Sequence, residues 1–290
     1  MSSGFNIRFY TYYDQCNYAC PYCIAGHGHV GVADMWDINK FKEIMNAIPR
    51  KWDNIDLRID TNGEPFLNDD ILNEVITVST HNTINTITLV TNLSLPAKKY
   101  VNFIKQCNDK LMLIGTYHPT EVKEPSRAWG RSTDNQSFIN KAIEINQLCN
   151  LTLVSVCYPE NFEQLFNFKD ACKRNKLTFF PKGFIGNGYP AKYTDADKVS
   201  MLKLGMTKHD YQYQIERKTP GLCNAGYRHF YITINGWIKP CGRSNHHLGH
   251  ISEEKLTSNN QPCPCSYGSC FATAGNINTV EYQSKVLKEI

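Results

Sequence analysis

Between residues 5 and 185, short apolar, β-branched runs alternate with longer segments of helical spacing, and this alternation restricts the fold more than any other feature. Candidate strands lie at 7–12, 55–60, 86–91, 111–116, 151–157 and 177–181. Helical spacing fills the gaps at 38–48, 71–79, 97–107, 137–148 and 162–175. Strand, helix and strand recurring about every 30 residues is the pattern of βαβ units with right-handed crossovers and a parallel sheet. Six such repeats suit an incomplete barrel better than a closed eight-fold one. The expected fold is therefore α/β, a partial (β/α)6 TIM barrel.

After Tyr189 the pattern lapses into a polar stretch, and a new unit starts near Gly221. Its clearest feature is a β-hairpin, 230–234 and 237–240, turning at Asn235-Gly236, a dipeptide suited to tight hairpin turns. The expected organisation is a barrel over 1–189, a linker or helical segment over 190–220, and a small β-hairpin/helix unit over 221–290. Lys+Arg 31 against Asp+Glu 27 leaves a formal charge of +4, too little to announce a nucleic-acid or membrane surface. No basic segment followed by an apolar one opens the chain, and no run of 18 apolar residues occurs. A cytoplasmic protein without a membrane partner is expected, with a nucleic-acid partner disfavoured.

Parallel α/β sheets bind ligands at the carboxyl ends of their strands, and the chemistry-bearing residues collect there. The first candidate strand is followed by Cys16-x3-Cys20-x2-Cys23, the second by Asn62-Gly63-Glu64-Pro65, and the third by Asn92. The fourth ends at Thr116 and leads to His118-Pro119, the fifth ends in Cys157, and the sixth runs into Lys182-Gly183. The chain has 12 cysteines. In a reducing compartment clustered cysteines bind metal or react rather than pair. Three thiolates within eight residues can each hold one iron of a cubane, leaving the fourth iron open, whereas structural zinc wants four ligands. His27 and His29 are the best argument for zinc.

Cys16-Asn-Tyr-Ala-Cys20-Pro-Tyr-Cys23 resembles the CxxxCxxC motif of radical S-adenosylmethionine (SAM) enzymes, which carry it after the first barrel strand. The resemblance implies a [4Fe-4S] cluster on these three cysteines, with SAM chelated by the open iron. One-electron reduction, fed by a flavodoxin or ferredoxin, then yields a radical that takes hydrogen from substrate. Gly63-Glu64-Pro65 resembles the family's GGEP segment, with Asn62 in place of the first glycine; the implied role is holding the SAM ammonium. By the same resemblance Tyr22 lies near the adenine, and Thr91, Asn92, Thr116 and His118 near the ribose and methionine. Arg127 and Arg131, flanking Trp129, are candidates for the SAM carboxylate or an anionic substrate, against a reading as surface charges.

Twelve residues separate Cys223 from Gly236 and four separate Gly236 from Cys241. This Cx12Gx4C pattern resembles the opening of the SPASM and Twitch extensions of the same family. With Cys263, Cys265 and Cys270 it implies one auxiliary [4Fe-4S] cluster with one thiol to spare. A four-cysteine zinc site is the competing reading, and His246, His247 and His250 suit zinc or substrate equally. The spare thiol, or Cys157 if it faces the chamber, could donate hydrogen to a substrate radical. Cys107, Cys149 and Cys172 fall on or beside helices and are expected in the core. The resemblance leaves dehydrogenation, epimerisation and a sulfatase-maturase-like peptide modification open. A barrel that starts within about ten residues of Met1 favours a small polar substrate over a peptide. The non-enzymatic alternative is a zinc-stabilised α/β scaffold.

Overall fold

The computed structural model describes residues 4–23, 35–107, 109–123, 135–186, 188–218 and 222–265. Six parallel strands form its centre: β1 (Phe5–Tyr10), β2 (Ile55–Asp60), β3 (Ile84–Thr91), β4 (Leu111–Thr116), β5 (Asn150–Cys157) and β6 (Thr178–Gly183). Each pairs with the next in sequence. Helices α1 (Ile38–Lys51), α2 (Asp69–Ser79), α3 (Ala97–Ile104), α4 (Pro119–Lys123), α5 (Asn135–Asn146) and α6 (Phe162–Arg174) supply the crossovers. The expected α/β array of six parallel strands is present. Among the described residues its sheet is open, with β6 paired only to β5 on one side.

Local chemistry explains where elements begin and end. The Asp37 side chain accepts from Asn39 N and Lys40 N to cap α1, and Arg50 and Lys51 occupy its last turn, complementing the helix dipole. Asn68 caps α2 in the same way, with Asp69 and Asp70 in its first turn. The first strand stops at Tyr10, two residues before its expected end, because Tyr12 sits at φ 60°, a left-handed conformation that no strand continues through. Lys176, at φ 55°, likewise delays β6 to Thr178.

Strand residues alternate between two environments. Ile7 and Phe9, Ile55, Leu57 and Ile59, Leu111 and Leu113, and Leu151 and Leu153 are all buried. They face the helices: Phe9 stacks on Phe41 of α1 with ring centroids 5.4 Å apart, and Phe179 meets Phe168 of α6 at 5.3 Å. The opposite, concave face carries Arg8, Tyr10, Asp56, Arg58, Asp60 and Lys182, set by the same alternation and register.

Beyond β6, α7 (Asp195–Leu204) opens on a capping box between Thr194 and Asp197 and packs Met201 and Leu204 into the core. A short α8 (Lys208–Asp210) continues into a π-helical turn, Tyr211–Ile215, from which Gln214 accepts the Gly183 amide at 2.8 Å. Strand β7 (Leu222–Cys223) precedes the hairpin β8 (His229–Thr233) and β9 (Trp237–Lys239); β10 (Gly249–His250) and β11 (Cys263–Pro264) follow. The hairpin turns where expected, with Gly236 at φ 78°. Its first strand lies parallel to β1, pairing Asn6 with His229 and Arg8 with Tyr231, and so extends the central sheet. β9 and β10 add antiparallel strands at that edge, while β7 and β11 form a separate two-stranded ribbon. No described helix is long and apolar enough to cross a membrane.

Phe230 fastens the hairpin to the sheet. It is 2% exposed, stacks on Trp52 at 5.6 Å and touches Phe5 at 6.1 Å. Phe230→Ala is expected to lower the unfolding free energy by about 3–5 kcal/mol in a denaturant titration, with β8 and β9 amides losing hydrogen-exchange protection before those of β3 and β4.

Candidate active site

The loop after β1 is fastened to the loop after β2 by main-chain bonds. Asn62 N and Gly63 N both donate to Tyr13 O, and Glu64 N donates to Gln15 O, each at 2.8 Å. This close approach requires a glycine: a Cβ on Gly63 would stand 2.0 Å from the Gln15 carbonyl oxygen. Asn62 fits where the family pattern has glycine, and its side chain accepts a hydrogen bond from the Tyr10 hydroxyl. Cys16 follows directly, so this pairing fixes where the three-cysteine segment begins.

Glu64 is the centre of the next layer. One carboxylate oxygen accepts from Phe66 N at 3.1 Å and Thr91 Oγ1 at 2.7 Å, and the other from Asn92 N at 2.6 Å. Burial pushes its carboxyl up to about 7, even against those bonds and the nearby Lys141 ammonium. Both oxygens are engaged by protein donors, so the role visible here is to join Pro65, which opens a 3-10 turn, to the end of β3. Asn92 in turn donates to Asn17 Oδ1 at 3.0 Å and approaches Cys16 Sγ at 3.8 Å. Asn17 donates to Ser94 Oγ at 2.8 Å, so the motif loop is tied to the segment after β3.

On the other side of the loop, His118 Nδ1 stands 3.2 Å from both Cys20 Sγ and the Tyr22 hydroxyl. Burial lowers its pKa to about 4, leaving a neutral imidazole. Tyr22 stacks on that ring at 5.8 Å and meets Tyr158 and Phe184, forming an aromatic wall. From α4, Glu121 accepts the Ala19 amide at 3.2 Å. Thr116 is half-buried on the concave face two positions before His118. The structure thus gathers Cys16, Cys20, Cys23, Tyr22, Gly63, Glu64, Pro65, Asn92 and His118 at the carboxyl end of the sheet. His27, His29, Arg127, Trp129, Arg131 and Cys270 lie outside the described residues.

Burial pushes the Cys16 thiol up to about 11 and the Cys20 thiol higher still, with the neighbouring thiols adding to both. A bound cation would reverse that logic by favouring the thiolates. Among the described residues no three His, Cys, Asp or Glu side chains come together as ligands of a single metal ion. Thiolates that each bind a different iron of a cubane stand farther apart than ligands of one ion. Three cysteines on one short, tethered loop supply the donor set such a cluster needs.

Cys157 ends its strand as expected, and the register decides which face it takes. It pairs with Gly183 and shares a face with Leu153, whose register partner Phe179 packs on α6. Its thiol is fully buried and pushed up to about 12. Strand parity therefore turns it toward the helices, away from the concave face. Cys107 and Cys172 are buried, as expected.

The late cysteines gather at the other end of the barrel. Cys223 and Cys263 are direct partners across β7 and β11, and Asn259 donates to both Ala225 O, at 3.1 Å, and Cys263 Sγ, at 3.4 Å. Because β9 runs back antiparallel to β8, Cys241 returns to the amino end of β8, where Ala225 bridges His229. Cys265 follows two residues after Cys263. The nearby histidines serve the hairpin: His250 Nε2 lies 2.9 Å from Asn235 O, and His247 stacks on Trp237 at 4.8 Å.

One cluster was missed by reasoning from motifs. Arg8 donates Nε and Nη2 to Asp60 Oδ2 at 2.8 and 2.6 Å, and Arg58 donates Nε to Oδ1 at 2.7 Å. The signal was available, because charged residues at alternate positions of two adjacent predicted strands must share the face opposite the core. Burial alone would raise the Asp60 carboxyl, but Arg58 and Arg8 outweigh it and hold the group at about 2.

A family model described as "Radical SAM superfamily" matches residues 10–171. No curated protein matches the chain. Among solved structures, native anSMEcpe with bound AdoMet superposes with a TM-score of 0.59 at 13% identity, covering 87% of this chain and 78% of that one. The same protein with bound AdoMet and Cp18Cys peptide gives 0.58 at 13%, with the same coverages. BtrN in complex with AdoMet and 2-DOIA gives 0.47 at 13%, covering 87% and 80%. At these identities the likeness to anSMEcpe shows the fold alone.

Gly63→Ala is expected to cost about 3 kcal/mol of stability and to expose the Asn62, Gly63 and Glu64 amides to hydrogen exchange. The depressed pKa of Asp60 contributes stability that is present above pH 4 and lost as pH falls toward 2. Wild-type unfolding free energy should therefore drop by roughly 2 kcal/mol from this group between pH 5 and 2, a component absent from Asp60→Asn.

Proposed function

The chain belongs to the radical SAM superfamily, a family of enzymes that bind S-adenosylmethionine, and from that premise we propose that it abstracts hydrogen from a small polar substrate in a dehydrogenation or epimerisation. The carrying observation is the Cys16, Cys20 and Cys23 segment, tethered at the carboxyl end of the sheet by main-chain bonds to 62–64 and by side chains from the ends of β3 and β4. These three cysteines would hold a [4Fe-4S] cluster. The chemistry such a cluster supplies when bound is one-electron reduction of SAM, giving methionine and a 5'-deoxyadenosyl radical.

The chain's own residues orient and enclose. Gly63 to Pro65, Asn92, Thr116 and His118 border the place where SAM would lie. Tyr22, Tyr158 and Phe184 offer apolar ring faces that exclude water and suit an adenine. Glu64 acts by holding the turn and Asn92 in register, so its loss would misplace the whole border. The concave face below receives the substrate. Four of Cys223, Cys241, Cys263, Cys265 and Cys270 would hold an auxiliary [4Fe-4S] cluster, to which a dehydrogenase would pass the substrate's second electron. An epimerase would instead need the spare thiol of this group as hydrogen donor, since Cys157 faces the core. A flavodoxin- or ferredoxin-type protein is the proposed electron donor.

A second reading, modification of a peptide, is favoured by one observation: anSMEcpe shares this fold, and its structure has been solved with a bound peptide. Incubation in deuterated water with SAM, reductant and candidate substrate separates the outcomes. Deuterium gained without oxidation indicates epimerisation, and loss of two hydrogens indicates dehydrogenation.

Anaerobically purified protein is expected to be brown, with about eight irons and eight sulfides per chain if both sites hold four-iron cubanes. Cys16→Ala should abolish 5'-deoxyadenosine formation, whereas Cys223→Ala should retain part of it and lose product. A colourless wild-type protein that reconstitutes with zinc alone would falsify the proposal.

A further inference from the structure

The concave face of the sheet is charged where a barrel interior is commonly filled by branched apolar side chains. Arg8 and Arg58 are side by side in the β1–β2 register, and Asp60 stands beside Tyr10 one layer nearer the cysteine loop. A single carboxylate, Asp60, receives both guanidiniums. Lys182 of β6 and Lys239 of β9 share the face by register, the latter opposite Tyr231. Asp56 is the remaining carboxylate of β2 on this side, where it accepts from Thr86 Oγ1 at 2.8 Å. Arg8, Arg58, Lys182 and Lys239 thus share the face with Asp60 and Asp56, and Asp210 stands near enough to Lys182 to raise its pKa.

The sheet curls enough to bring β6 toward β2. β2 and β6 are four strand positions apart, roughly 19 Å if flat. Yet Lys182, whose pKa burial lowers and Asp210 partly restores, is lowered further by the Arg58 charge. Arg58 reaches Asp60 through Nε alone, and the Arg8 and Arg58 side chains are 24% and 25% exposed. The terminal nitrogens of Arg58 form a fork suited to an oxyanion.

An independent observation points to the same place. His229 is 4% exposed, and its Nδ1 is buried with no hydrogen-bond partner among the described residues. It lies two positions before Tyr231 on β8, in register with Asn6 of β1, and is close enough to Arg8 and Asp60 to feel both charges. A buried polar nitrogen without a partner is costly, and an oxyanion seated beside the Arg8–Arg58 pair on this face would supply one. Tyr10 stacks on Tyr231 at 6.0 Å, making an aromatic layer between this seat and Asn62.

We propose that this face seats an oxyanion of the substrate, a carboxylate or phosphate, against Arg58, Arg8, Lys182 and His229. The inference rests on the function proposed above and narrows its substrate class to anionic small molecules. It also sets their size: the seat lies two strand positions below the Tyr10 layer, roughly 7 Å, so the reacting C–H is several bonds from the anionic group.

The test is calorimetric titration of the full-length protein with inorganic phosphate and, separately, with acetate at constant ionic strength. Saturable binding is expected, with the preferred anion identifying the source. Arg58→Gln should weaken it about ten-fold or more. Lys182→Met, which leaves the Asp60 pair intact, should weaken it too, and serves if the first variant fails to fold. No saturable binding of either anion, or equal binding by wild type and folded variants, overturns the proposal. Formation of 5'-deoxyadenosine is assayed on the same wild-type preparation. Cleavage without anion binding sinks the seat alone, whereas anion binding without cleavage counts against the SAM reading and leaves the seat standing.

Discussion

The carboxylate of Glu64 is the contact on which the reactive end of this molecule depends. A buried carboxyl is tolerated only when its oxygens are paired. Here they are paired by donors from two loops: Phe66 N from its own turn, and Thr91 Oγ1 and Asn92 N from the end of β3. The same turn is bonded to 13–15, immediately ahead of Cys16. Three strand ends are therefore set by one buried charge-bearing group and three main-chain bonds. The positions of Asn92, Asn17 and Cys16 follow from them. An acidic residue in a Gly-Glu-Pro turn thus acts as a joint before it acts on any ligand.

Much of this architecture is legible in the sequence because it is local. The spans of β2 and β4 coincide with their hydrophobic runs, and the hairpin turns at Asn235-Gly236 as a short-range signal should. What escaped is long-range. Nothing within residues 229–233 says that they lie parallel to β1, since that pairing spans over 200 residues of chain. The approach of His118 to Cys20 and Tyr22 likewise depends on the stacking of separate loops. Cys157 shows the limit of position alone. It ends its strand as expected, but which face it takes is decided by parity against Phe179 and α6.

The histidines after the hairpin carry a similar lesson. His247 and His250 sit among cysteines in sequence and suggest ligands, yet one covers Trp237 and the other closes the turn against Asn235. Both ring nitrogens of His250 and one face of His247 are occupied by the local fold. Arg8, Arg58 and Asp60 are the opposite case. No motif contains them, and they matter because adjacent parallel strands bring identical parities together.

The antiparallel return of β9 decides where the late cysteines stand. It brings Cys241 back beside the segment that holds Cys223, at the mouth of the half-barrel opposite Cys16, Cys20 and Cys23. The length of β1, roughly 17–20 Å, lies between the two mouths, and so does the concave face. Under the proposed function a molecule seated there would be a relay, receiving the oxidising event from one mouth and discharging its electron toward the other. The polarity of a single strand would then fix the polarity of the current.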